Sequence, residues 1–575
     1  MKKLLTILVL CSAVMAANAV PARRGWQTQT QADGSTIEVQ VIGDEFYHYT
    51  INRDGQRIRM NEEGMYEVVG TAPTKEEFTA RRAKAQARRA RQDIGVTPNL
   101  APRGVVILAN FSDSQFKAAH TRAVFDEMCN SNACTVNKYN GVNYPSAAEY
   151  FSSQSNGAYR PQFDVYGPVT LSRTVSYYGK DGSEEGDDQH ATDALVEACI
   201  LANQQYSTLD FANYDSDGDG YVDFVYVIYA GKGQADGGAS NTIWPHNWSV
   251  TDAIRYGYCT YTNAQRKIDG KIIDNYAMSS ELSGSTLGGI GTLCHEFGHV
   301  MGLPDFYDTQ YGTNYNSMLT PNEWDVMDGG AYNGGGHCPP NYSPWEKYFF
   351  GWHTPVNLGT VGARLKLAAN GTDAYQAYQV NTAGQLQSST QNGLNYYFEN
   401  RQQEGWDAYI PGSGLVIWKV NFKASAWSSN EPNNTANNPR YTIVCSSGTK
   451  IGERYGAKNV FPYNDVNSWS GVSGKPLTNI TRDGEFIRLI YISEPNYYTV
   501  KWVVNGEVLE TARYATDGSE DLRLPSIAVP TCEGTELVGW TQNVNWFDPF
   551  EIPEDLFSTP AGKVTDDVIY YAVFQ

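Results

Sequence analysis

Two apolar runs organise the middle of the chain, GVVILA at 104–109 and VDFVYVIY at 222–229. Runs of this length, rich in β-branched and aromatic residues and with little polar alternation, predict strands buried on both faces. Helical patterning lies between them, near 146–155 and 190–204. Strand mixed with helix in this way predicts an α/β unit, placed at 101–355. Upstream, from about 23 to 70, short strand-like stretches are split by Asp33-Gly34 and Asp54-Gly55. These are hairpin signals, and they predict a small β-rich module. The stretch that follows, TAPTKEEFTARRAKAQARRARQD, opens with Thr74 and Glu77 in the spacing of a capping box and continues Ala- and Arg-rich. Downstream, strand patterns at 375–380, 396–399, 415–420, 441–444 and 486–492 predict one β-rich domain over 356–495. Patterns at 498–504 and 568–574 predict a small separate β module over 496–575. The whole reads as a multidomain α+β chain.

The chain start changes the picture by adding a compartment. Lys2 and Lys3 precede an apolar run over 4–14 and then Ala17-Asn18-Ala19, the order of a secretory signal peptide, assigned to 1–19. The run is shorter than a membrane-spanning helix, and no later segment is apolar enough to span. The product is therefore expected to be secreted, extracellular or at the cell surface. With 43 basic and 63 acidic residues the net charge is −20, which disfavours nucleic acid and anionic membrane as partners. Of nine cysteines, Cys11 leaves with the leader. Cys129 and Cys134 are close enough in sequence for a small disulfide loop; the other pairings are not legible. Residues 20–100 then read as a propeptide. Its basic connector, with Arg81, Arg82, Lys84, Arg88, Arg89 and Arg91, is either a solvated helix or a site open to trypsin-like cleavage.

The chemistry is concentrated in CHEFGHVMGLPD at 294–305. On a helix, positions i and i+4 share a face, so His295 and His299 can offer two imidazole nitrogens to one zinc ion. Glu296 sits beside that metal and can take a proton from an attacking water and pass it to a leaving amine. A catalytic zinc needs a third protein ligand and an open position. Gly302 can enter the left-handed region and Pro304 stops the helix, so the turn can return Asp305 to the metal. Asp308 is the alternative if the turn is wider. The glycine-rich text 284–293 can form the first turns of the same helix. Met327, in WDVMDGG, sits in a tight turn that can place it as a hydrophobic floor beneath the ligands.

HEFGHVMGLPD followed by FYD, with VMDGG about twenty residues later, closely resembles the immune inhibitor A family of secreted bacterial metallopeptidases. ILANFSD at 107–113, YDSDGDGYVDFVYVIYAG at 214–231, IWPHNW at 243–248 and YFENRQQEGWDAYIPGSGLVIW at 397–418 agree, so the resemblance covers roughly 23–420. It implies a metzincin-like zinc endopeptidase made with a propeptide, with zinc on His295, His299 and Asp305, Glu296 as base, and protein or peptide substrates. The tail, with GW at 539–540 and YYAVF at 570–574, looks like small β-grasp repeats of bacterial surface proteins and is a candidate for cell-surface contact.

Asp215, Asp217, Asp219 and Asp223, in DSDGDGYVD, match the first half of a calcium loop with Gly220 at the sharp turn. Tyr226 stands where such a loop has its bidentate Glu, so part of the ligand set must come from elsewhere. His246 and Tyr342 are candidates for stabilising an oxyanion, or packed structural residues. Cys294 is expected on the back of the helix as a small hydrophobe. The segment 20–70 holds no cysteine, so latency by a thiolate is excluded; a carboxylate such as Asp44 could serve. Glu184, Glu185, Asp187 and Asp188 read as a solvated acidic loop. The competing function is a surface adhesin or carbohydrate-binding protein, suggested by the β-rich C-terminal third and 13% aromatic content. It gives Glu296 nothing to do.

Overall fold

The computed structural model describes residues 22, 25–44, 47–61, 63–88, 98, 100–181, 188–309, 320–435, 438–446, 460–494, 497–516, 520–530, 535–543 and 553–575. The leader at 1–19, Arg89, Arg91 and the acidic residues 184–187 lie outside them. The chain is mixed α/β and multidomain, rich in strand with few helices. No helix of the described residues is long and apolar enough to cross a membrane.

The central sheet runs in the order His246–Ser249, Asn275–Ser283, Val225–Lys232, Arg103–Asn110, Gln162–Thr170. The last four are parallel, and His246–Ser249 is an antiparallel edge, with His246 opposite Met278. The unbroken apolar runs explain themselves here, because alternate residues serve two different cores. Val106, Leu108, Tyr226 and Ile228 face the helix Gly291–Val300 through Cys294 and Phe297. Val105, Ile107, Val225 and Val227 face the helix Ala191–Gln205 through Leu195 and Cys199. A parallel sheet covered on both sides needs apolar residues at every position.

Of the 284–293 segment, residues 291–293 form the first turn of the helix as expected, while 284–290 do not. Gly284 has φ +62°, and the chain turns so that Thr286–Leu287 pairs back on Asn275–Ser283. The helix starts at Gly291, where a Cβ would lie 1.9 Å from the Ala331 carbonyl oxygen. Gly289 and Gly291 serve close approach to the segment after Met327.

The N-terminal module is a five-stranded antiparallel meander in sequence order, from Gln27–Thr30 to Tyr66–Thr71, followed by the helix Lys75–Arg88. Thr74 and Glu77 form the expected reciprocal cap, at 2.9 and 3.2 Å. Two expectations are corrected. Asp44 is not a free carboxylate: its Oδ2 accepts from Arg82 Nε at 2.7 Å, with both side chains buried. Arg82 is therefore not an exposed cleavage site. The module packs on the central unit through Ile42, Tyr47, Tyr49 and Phe78 against Tyr307, and His48 stacks on Trp244 at 4.0 Å.

Beyond residue 356 two sheets form a sandwich, a five-stranded one from Val356–Asn357 to Tyr441–Ile443 and a three-stranded one. Leu367, Phe398, Ile417 and Leu489 fill the space between the sheets. The other face of the larger sheet does not meet solvent. Trp418, Phe422 and Tyr441 join Phe306, Trp345 and Phe297 in the core under the helix Gly291–Val300. The tail forms a four-stranded sheet with Tyr497–Val504 and Val568–Phe574 parallel at its centre, and Trp502, Trp540 and Tyr570 packed together. Cys129 and Cys134 are both free thiols, so the expected small loop is not a disulfide. Both are buried, and Cys129 packs in the apolar core.

Candidate metal centre and active site

His295 and His299 emerge from the same face of the helix Gly291–Val300, and Gly302, at φ +105°, turns the chain behind them. Asp305 returns as the turn predicts, and it is Asp305, not Asp308, that joins the two histidines in one cluster. The two Nε2 atoms are 3.1 Å apart, and Asp305 Oδ1 lies 3.4 Å from His295 Nε2 and 3.2 Å from His299 Nε2. A tetrahedron with arms of about 2.0–2.1 Å, the usual zinc–nitrogen and zinc–oxygen lengths, has edges of about 3.3–3.4 Å. The three donor atoms thus form one face of such a tetrahedron.

Tautomers sharpen the fit. His295 Nδ1 lies 2.8 Å from the Val326 carbonyl and His299 Nδ1 2.8 Å from the Leu303 carbonyl. A carbonyl only accepts, so each Nδ1 carries the proton and each neutral ring turns a lone pair inwards. Two lone pairs and a carboxylate oxygen then converge in a fully buried place. That arrangement repels itself unless a cation sits among the three, and the residues fit zinc. Burial lowers the His299 pKa to about 4 despite the attraction of Asp305, keeping it neutral. Burial alone would raise Asp305, but its closeness to the two imidazoles outweighs that and holds the carboxyl below its ordinary range. Neutral imidazole and ionised carboxylate are the forms a metal takes.

Glu296 is fully buried, one residue along the helix from His295. On the opposite flank, a Cβ on Gly298 would lie 2.6 Å from Met327 Sδ and 3.4 Å from the Tyr342 hydroxyl. The turn carrying Met327 is pinned by Met327 N donating to Asp325 Oδ1 at 2.8 Å, and by Phe306 N donating to Met327 O at 2.9 Å. Tyr342 therefore lies against the helix flank, among Tyr150, Phe350 and Trp352, and not on the side of Glu296. His246 is also occupied: Nδ1 meets Trp244 O at 2.6 Å and Nε2 meets Tyr276 Oη at 3.0 Å. Cys294 is fully buried, as expected.

The sequence motif gave no hint of what holds Asp305. Its backbone N–H donates to Asn430 Oδ1 at 2.6 Å, and Asn430 Nδ2 donates back to Asp305 Oδ2. The only sequence signal is an Asn-rich run, SSNEPNNTANN at 428–438, which composition alone reads as loop.

In the acidic loop Asp215, Asp217 and Asp223 bring oxygens within 4.8 Å of one another, while Asp219 does not join them. Asp219 Oδ1 instead accepts from Tyr221 N at 2.8 Å. Lys271 Nζ lies 2.5 Å from Asp215 Oδ2 and supplies part of the balancing charge. Asp188 is not simply solvated: its Oδ2 accepts the Trp244 N–H at 2.7 Å.

Residues 106–356 match the catalytic domain of the immune inhibitor A M6 peptidases. The expected resemblance to immune inhibitor A is thus found, over a narrower span than 23–420. The pre-pro-metalloprotease PrtV of Vibrio cholerae serotype O1 is 28% identical over 228 residues, 36% of this chain and 24% of that protein. Immune inhibitor A of Bacillus thuringiensis subsp. alesti is 31% identical over 226 residues, 35% of this chain and 31% of that protein. The aligned part spans less than a third of the length of these relatives. Asn430 and the β-sandwich lie beyond the matched M6 span.

Proposed function

We propose that the chain is a secreted zinc-dependent endopeptidase of metzincin type, made as a zymogen, that hydrolyses extracellular proteins. The observation that carries this is the triangle of His295 Nε2, His299 Nε2 and Asp305 Oδ1, with edges of 3.1–3.4 Å and both Nδ1 atoms fixed on carbonyls. Zinc held there supplies Lewis acidity, bringing the pKa of a water towards neutral and polarising the scissile carbonyl. Glu296 takes the proton from the attacking water and delivers it to the departing amine. Met327 is the apolar floor beneath the ligands.

The M6 match and the relative named as a pre-pro-metalloprotease support this reading. Residues 1–19 serve as leader and 20–100 as propeptide, which in the latent form packs on Tyr307, two residues from Asp305, and on Trp244. Calcium, where bound, would use Asp215, Asp217 and Asp223. The test compares purified wild type with Glu296→Ala on an unfolded protein substrate, with and without a chelator. Wild type should lose activity to the chelator and regain it with zinc, and Glu296→Ala should be inactive throughout; equal activity in the two proteins sinks the proposal.

A further inference from the structure

We propose that the metal site is completed from the β-sandwich, with Asn430 as the positioning residue for Asp305; this rests on the zinc reading above. Asn430 follows the short helix Ala424–Ser428, and its backbone N–H donates to Trp427 O at 2.9 Å. Its φ is +55°, a region that Asn, Asp and Gly tolerate best. Trp427 anchors this corner in the shared core, against Phe306, Trp345 and Phe422. From there the Asn430 amide makes a reciprocal pair with Asp305, one bond to the backbone N–H and one to Oδ2. With Oδ2 engaged, Oδ1 is the oxygen turned to the two imidazoles. An Asp ligand has two equivalent oxygens and a free χ2, and this pair selects one oxygen and one angle.

Two neighbours clamp the same turn without touching a ligand. Asn433 Nδ2 donates to Phe306 O at 2.6 Å, and Asn434 Oδ1 accepts from Thr309 N at 3.0 Å. The sandwich also reaches the first ligand. Tyr441 stacks on Phe306 at 3.7 Å and its hydroxyl donates to Asp325 Oδ2 at 3.0 Å. Asp325 Oδ1 holds Met327 N, and the carbonyl of the intervening Val326 receives His295 Nδ1–H. Asn430 and Tyr441 therefore orient Asp305 and His295, although they lie outside the matched 106–356 span.

The experiment uses the full chain and measures zinc affinity by competition with a chromophoric chelator, beside the melting temperature of the zinc-free protein. Asn430→Asp keeps the acceptor for Asp305 N–H and the backbone preference but loses the donor to Oδ2. Asn430→Gly loses both bonds and tolerates the positive φ. Asn434→Ala weakens the clamp and touches no ligand. Both Asn430 variants should bind zinc about 10–100-fold more weakly, with an altered d–d spectrum after cobalt substitution, while Asn434→Ala binds as wild type. Wild-type affinity in Asn430→Asp overturns the proposal, as does an equal loss in Asn434→Ala, which would make the effect one of loop stability. If Asn430→Gly fails to fold, Asn430→Asp decides. Failure of wild type itself to bind zinc would instead sink the zinc reading.

Discussion

His295 and His299 face each other through their Nε2 atoms at 3.1 Å, each ring held by a carbonyl on its other nitrogen. Without a cation that contact is repulsive, so the site stores a stability dependence on metal. The chelator-treated full chain should melt several degrees lower than the zinc-loaded one, because a ligand at about 1,000 times its Kd adds about 4 kcal/mol. Calorimetry with zinc or magnesium restored separates the cases: zinc should recover the transition, magnesium should not.

Glu296→Gln isolates the proton transfer from the electrostatics of the ligands. Turnover should fall by about 10²–10⁴-fold, while zinc content, measured by atomic emission, stays at the wild-type level. Loss of metal together with activity would mean that Glu296 supports the site and does not act as its base.

Gly298 and Met327 form a steric pair. A Cβ at 298 would come 2.6 Å from Met327 Sδ, so Gly298→Ala should cost about 1–3 kcal/mol through overpacking. Shortening the partner should relieve it: in Gly298→Ala/Met327→Ala the two costs should add to less than their sum, and strict additivity in denaturant titrations would show that the pair does not interact.

What was legible in the sequence follows from locality. His295, His299, Gly302 and Asp305 fall within eleven residues, so helix periodicity and one turn suffice to place them. The apolar runs at 104–109 and 222–229 likewise announce a sheet covered on both faces. Asn430 is 125 positions from Asp305, and its role depends on where a distant sheet docks, which no local period encodes. The positions of Asp219 and of residues 284–290 also depend on packing that spacing does not encode. Spacing alone puts Asp219 beside Asp215, Asp217 and Asp223, while the fold gathers only those three within 4.8 Å of one another. Gly289 and Gly291 stand where Gly336 and Ala331 pass too close for a side chain.

Asp325 gives a pH dependence whose sign can be stated. Burial, reinforced by nearby Asp328, raises its pKa from 3.8 to about 7, although bonds from Met327 N and Tyr441 Oη oppose the shift. Between those values the native state binds the proton more strongly than the unfolded state. Stability from this group is present at low pH and is lost as pH rises towards 7. Asp325→Asn retains the acceptor for Met327 N and cannot ionise. Its melting temperature should therefore fall less than that of wild type between pH 5 and pH 8, and parallel curves would remove Asp325 as the cause.

The Arg82–Asp44 pair ties the helix Lys75–Arg88 to the meander of the N-terminal module, with both side chains buried. Removing one partner leaves an uncompensated buried charge and costs about 3–5 kcal/mol, more than a small five-stranded module readily withstands. The module covers Tyr307 and Trp244, so its loosening should expose both that surface and the helix to protease. Arg82→Ala should release the N-terminal module in limited trypsin digestion well before wild type, and peptidase activity should rise earlier in the same time course. A control, Arg53→Ala, breaks an exposed pair with Glu38 and should leave the digestion rate unchanged. Equal digestion of Arg82→Ala and wild type would show that the buried pair does not hold the module in place.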